Sequence, residues 1–204
     1  MSQEASPPPA RRRRLPTPVG VVALMAAAGL VVLLATRPLG GGAAEPSMYV
    51  VGTPTAGVQI GQIAPGSAAA ADAQRLSMVG LDGSRVTLAD FADRPVWLIF
   101  WKTACEPCEA EAPAVAAAAA AHQGDGLAVI GVDVWDSAAV VEDYAASHAL
   151  DFPVAVPVSS AVVDAYGVWG APTHYFIDSA GVIRDRYFGP ITDSLIAESL
   201  AKIL

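Results

Sequence analysis

Cys105 and Cys108 are the only cysteines in the 204-residue chain, and two residues separate them in the stretch Phe100-Trp101-Lys102-Thr103-Ala104-Cys105-Glu106-Pro107-Cys108. Two thiols at that spacing close a small disulfide and open it again. The residues before them, Val96 to Trp101, are apolar β-formers, and Glu106 to Ala121 is almost all Ala, Glu and Val. The pair therefore falls where a strand gives way to a helix. A helix N-terminus stabilises a thiolate, and the chemistry that needs one is thiol–disulfide exchange.

Two other uses of a cysteine pair compete with that reading. A zinc site needs four ligands, but the only histidines, His122, His148 and His174, show no paired spacing. A purely structural bridge across two residues removes little entropy from the unfolded chain. Redox chemistry is the stronger reading. Three carboxylates, Glu106, Glu109 and Glu111, crowd the helix start. Negative charge there opposes the helix dipole, raises the thiol pKa and makes the couple more reducing. Glu106 and Glu109 read as solvated helix-start residues.

The positioning elements follow from periodicity and turn chemistry. Leu76 to Val79 and Arg85 to Leu88 flank Asp82-Gly83, a hairpin signal. Leu127 to Val134, apolar but for Asp133, reads as a central parallel strand. Helices are expected over Glu106 to Ala121 with a kink at Pro113, over Ser137 to His148 with Ser137 as N-cap, over Ser160 to Tyr166, and over Thr192 to Leu204. Thr173 to Ile177 and Val182 to Phe188 read as strands joined at Asp178-Ser179-Ala180-Gly181. No element is read between His148 and Ser160. This order predicts an α/β fold, a mixed sheet with helices on both faces and an N-terminal hairpin extension. Trp97 is expected in the core and Trp101 under the cysteines. Trp135 and Trp169 are expected in loops near the site, and His174 reads as a plain sheet position.

The leader divides from this domain by composition. Residues 1–18 carry the basic block Arg11 to Arg14, and Val19 to Ala35 is an unbroken run of seventeen apolar and glycine residues. That length is at the low end for a membrane span and long for a signal-peptide core. A signal anchor over 19–36 is expected, with the arginines cytoplasmic and the domain extracytoplasmic. Gly42-Ala43-Ala44 leaves cleavage as the alternative. Residues 37–59 read as a flexible linker and 60–204 as the folded domain. From Ile60 onward seven basic residues face eighteen acidic ones, a net of −11. Such a domain has no electrostatic basis for holding nucleic acid and more readily meets a basic or neutral protein.

With these residues in place, the chain from Ile60 to Leu204 resembles the thioredoxin-like superfamily, and within it the membrane-anchored TlpA/ResA type with its redoxin domain of the AhpC-TSA kind. Gly61-Gln62-Ile63-Ala64-Pro65 resembles the opening motif, and Leu81-Asp82-Gly83 with Val86-Thr87-Leu88 the first hairpin. Phe100-Trp101 before the cysteines, Pro113 in the helix and Gly170-Ala171-Pro172-Thr173 before Tyr175-Phe176-Ile177 complete the set. Ala104, Lys102 and Ala171 depart from the usual residues beside such a site.

The resemblance implies that Cys105 sits exposed and attacks, that Cys108 resolves, and that the two form a redox-active disulfide. It implies a cis-Pro172, with Trp101, Ala171, Pro172 and Thr173 lining the place where a substrate strand docks. It also places Glu111 where reductases of this type carry a proton-handling acid. It suggests disulfides of exported proteins as substrates, for example apocytochrome c in cytochrome c maturation, and a membrane thiol-transfer protein as donor. No cofactor and no metal are expected. A copper(I) metallochaperone and a disulfide-forming oxidant are the alternatives. A peroxidase is weaker, because Lys102 stands where such a site expects Thr or Ser.

Overall fold

The computed structural model describes residues 48–50, 53, 56–72, 75–148, 150 and 152–204. The expected membrane segment at 19–36 lies outside them, and among the described residues no helix is long and apolar enough to cross a membrane.

In chain order the elements are β1 (Tyr49–Val50), β2 (Met78–Gly80), β3 (Arg85–Val86), β4 (Val96–Trp101), α1 (Glu106–Ala121), β5 (Ala128–Asp133), α2 (Ala138–Ser147), β6 (Val154–Pro157), α3 (Ala161–Tyr166), β7 (Gly170–Ala171), β8 (Thr173–Ile177), β9 (Ile183–Phe188) and α4 (Asp193–Leu200). Seven strands make one sheet in the order β3-β2-β6-β5-β4-β8-β9. β4, β5 and β6 run parallel, while β2, β3, β8 and β9 pair antiparallel with their neighbours. The fold is thus a mixed α/β sheet of the thioredoxin-like kind, with the hairpin β2–β3 added at one edge.

Every residue of β4 and β5 is buried, because helices cover both faces of the sheet. The two-residue period of β4 sends Leu98 and Phe100 into a cluster with Ile130, Val132, Tyr166 and Tyr175 on the face that α3 covers. Trp97 and Ile99 point the other way, into a cluster with Val115 of α1 and with Ile196 and Leu200 of α4. Trp101, at the end of the strand, packs with both cysteines, Val141 of α2 and Ala171. The helix N-caps are Cys105 for α1, Ser137 for α2 and Thr192 for α4. Ser137 takes its expected place, but its side chain makes no capping hydrogen bond.

Three strands, β1, β6 and β7, depart from the expectation. β6 stands where no element is read, since Val154-Ala155-Val156 is short and bracketed by Pro153 and Pro157, which read as loop. Pairing on both sides, with β5 and β2, holds it extended. Within the segment read as a linker, Tyr49–Val50 pairs antiparallel with Gly170–Ala171, and Val58 is buried in the core.

Candidate active site

The cysteines occupy the turn between β4 and α1. Ala104 takes the left-handed backbone conformation (φ 51°), unusual for a residue with a side chain, and this reverses the chain sharply into the helix. Cys105 becomes the N-cap, where its Sγ accepts a hydrogen bond from the Cys108 N–H at 3.4 Å. Pro107 fits the first turn, whose N–H groups need no intrahelical partner. Cys105 and Cys108 are joined in a disulfide with their Cα atoms 5.2 Å apart. A helix N-terminus thus faces the sulfur that a reduced pair would present as thiolate.

Against the expected exposure of the first cysteine, Cys105 is 0% exposed and Cys108 5%. The reason is packing from across the site. Cys105 lies in a cluster with Trp101, Val141 and Ala171, and its Sγ stands 3.9 Å from the Ala171 carbonyl oxygen. The Ala171–Pro172 bond is cis, and Thr173 Oγ1 donates to the Gly170 carbonyl at 2.8 Å, closing that loop on itself. Trp101, Cys105, Cys108, Ala171, Pro172 and Thr173 therefore meet at one end of the sheet.

A second layer holds the cysteine loop. Asp133 ends β5 fully buried, and its Oδ1 accepts from the N–H groups of Trp135 (2.9 Å) and Asp136 (2.8 Å). The Thr103 N–H is shared between Asp133 Oδ2 (3.1 Å) and Asp136 Oδ2 (2.9 Å), and Thr103 Oγ1 also donates to Asp136 (2.8 Å). This clamp fixes the backbone two residues before Cys105. Burial pushes the Asp133 carboxyl up, against the N–H groups of Asp136 and Trp135, and the Asp136 charge adds to the rise. None of these three residues stood out in the sequence, although an acid closing a wholly apolar strand was a visible signal.

The three glutamates separate. Glu106 and Glu109 are exposed, whereas Glu111 is buried at 6% exposure. Its Oε2 accepts from the Ile191 N–H at 3.0 Å and lies 3.5 Å from Nε2 of His174. His174, read as a plain sheet position, is 0% exposed, and among the described residues neither ring nitrogen has a hydrogen-bond partner. A cavity of about 30 Å³, room for one water, is lined by Cys108, Glu111, Trp101, Tyr144 and Gly131. Burial, and then the charges of Glu109 and Glu111, push the Tyr144 phenol up to about 12. Its ring packs on Trp101 at 4.8 Å between centroids. Trp135 sits at the surface and Trp169 stacks on Phe188. Among the described residues no three His, Cys, Asp or Glu side chains gather to hold a metal.

Comparison with known proteins agrees with this chemistry. The AhpC/TSA family matches residues 60–186. The thiol-disulfide oxidoreductase ResA of Bacillus subtilis is 32% identical over 125 residues, which cover 61% of this chain and 70% of that protein. Among solved structures, a putative thiol:disulfide interchange protein DsbE from Chlorobium tepidum superposes with a TM-score of 0.61 at 23% identity, covering 71% of this chain and 96% of that one. StoA from Bacillus subtilis does so with a TM-score of 0.53 at 24% identity, covering 61% and 94%. These two likenesses establish the fold.

Proposed function

We propose that this chain, which belongs to the AhpC/TSA family and is a thiol–disulfide oxidoreductase, works as an extracytoplasmic reductase of disulfides in exported proteins. One observation carries the direction: an acid, Glu111, is buried behind the resolving cysteine, with Glu106 and Glu109 on the same helical turns. Negative charge at that place disfavours thiolate, makes the dithiol give up its electrons more readily and lowers the reduction potential.

In the proposed cycle the Cys105 thiolate attacks a substrate disulfide, forming a mixed disulfide and releasing one substrate thiolate. Cys108 then passes its proton to Glu111 across their shared cavity, and its sulfur attacks Sγ of Cys105. The second substrate thiolate leaves, two electrons have passed to the substrate, and the enzyme holds the Cys105–Cys108 disulfide. A donor dithiol reverses these steps on the enzyme. Ala171, Pro172, Thr173 and Trp101 border the place of attack, where an extended substrate segment docks on the Gly170–Ala171 edge.

The basic residues before an apolar run at 19–36 support anchoring in a membrane with the domain outside. The resemblance to TlpA/ResA proteins supports cytochrome c maturation as the setting, with apocytochrome c thiols as substrate and a membrane thiol-transfer protein as donor. The test is the reduction potential of the Cys105–Cys108 couple in the full-length protein. A value near or below roughly −270 mV, that of thioredoxin, is expected. A value near roughly −120 mV would reverse the direction and make the protein an oxidant.

A further inference from the structure

The edge on which a substrate would dock is already taken by the chain itself. β1 and β7 form their own two-stranded antiparallel pair, with Tyr49 opposite Ala171 and Val50 opposite Gly170. Met48 lies over the bare Cα of Gly170. A Cβ there would stand 2.9 Å from its Cγ, Sδ and Cε, and one on Gly189 would stand 3.8 Å from the Met48 Cβ. Gly170 thus leaves a notch for one long side chain, bordered by Gly189, whose N–H donates to the Pro172 carbonyl at 2.9 Å. Behind this edge Cys105 is fully buried, its Sγ against Ala171. Ala171 therefore has Cys105 against its carbonyl and Tyr49 as its pairing partner.

We propose that Met48–Val50 is an intrachain stand-in for substrate. The surface of Gly170, Ala171 and Gly189 receives an extended peptide that runs antiparallel to β7 and places a long, unbranched apolar side chain in the notch, as Met48 does. Substrate and β1 compete for it. Gly170 has a specific part: with no side chain, it leaves room for the occupant's. Two paired residues make a short, weak strand, and Val50 is 60% exposed. An occupant that is readily displaced suits a gate better than a permanent part of the sheet. The inference rests on the reading that Cys105 attacks substrate at this edge.

The test uses the full-length protein and two variants. Val50→Pro removes a backbone donor from β1, and Met48→Gly empties the notch. Insulin is the disulfide substrate. If β1 is docked nine-tenths of the time, either variant lowers KM about tenfold and leaves kcat unchanged. Alkylation of reduced Cys105 by iodoacetamide, which needs no turnover, quickens by a similar factor. Should Val50→Pro misfold, Met48→Gly carries both measurements alone. Wild type that reduces insulin, with KM and alkylation rate unmoved in the variants, overturns the stand-in and leaves the reductase intact. Absence of insulin and glutathione disulfide reduction by all three proteins overturns the reductase reading, and the stand-in with it.

Discussion

Glu111 owes its place to two contacts made far from its own helix turn. The Ile191 N–H holds one carboxylate oxygen, and the same oxygen faces the unbonded His174 ring. A carboxylate so fixed, on a cavity shared with Cys108, suits the proposed proton transfer from that thiol. Glu111→Gln keeps the shape and an oxygen for Ile191 but cannot take that proton. Turnover with a protein disulfide is expected to fall about a hundredfold, while the urea unfolding midpoint stays close to wild type. An equal loss in both would mean the residue is structural. The cysteine pair was legible from spacing and residue type, whereas the order of the two thiols and the role of Glu111 were implied by the family resemblance. The burial of Cys105 was not legible, nor was the partnership of Glu111 with His174. Each depends on a residue delivered from a different strand or loop.

At the scale of elements, the site is a junction of strand ends. β4 brings Trp101 and the cysteine loop, β5 brings Asp133, and β7 brings Ala171 with Pro172 after it. The close approach of β5 to the Trp101 ring requires a residue without a side chain. A Cβ on Gly131 would lie 2.9 Å from Trp101 Nε1 and 3.2 Å from Phe152 Cε2. Gly131→Ala is therefore expected to destabilise the protein by about 1–3 kcal/mol, read from denaturant unfolding. It should also slow disulfide exchange, since the displaced ring packs on both cysteines. Unchanged stability and exchange would mean that the ring gives way freely. The helices and long strands were legible because composition, apolar runs and turn residues mark each of them locally. β6 was not, since three apolar residues between prolines take an extended form only when neighbours on both sides supply partners.

For the whole molecule, three buried or paired carboxylates set how stability follows pH. Burial raises Asp178 and Asp185, but hydrogen bonds from the Val182 N–H and Arg184 to the first, and from Lys202 and Ser199 to the second, hold both below the ordinary 3.8. Their contribution is complete above the unfolded-chain value and is lost as pH falls through the lower folded values. Asp133 has the opposite sign. Its carboxyl is raised, so holding it charged destabilises the fold at neutral pH, and protonation relieves that as pH falls through the raised value. Denaturation midpoints between about pH 7 and pH 2 are expected to show both effects. Asp185→Asn should weaken the acid loss below 3.8, and Asp133→Asn should flatten the profile above it. Profiles of both variants parallel to wild type would contradict the assignment.

By itself the sequence determined the chemistry and most of the scaffold. A dithiol pair between an apolar strand and an alanine-rich helix, flanked by Pro and Glu, has few other uses, and each of these signals spans a handful of adjacent residues. Tertiary structure alone decided how the site is closed. The Glu111 contact to Ile191 joins residues 80 apart, the Thr103 clamp on Asp133 spans 30, and Cys105 meets Ala171 across 66. A segment that reads as tether became β1 for the same reason. Backbone pairing asks only for an extended chain and an open edge, and whether an edge lies within reach is a property of the folded molecule.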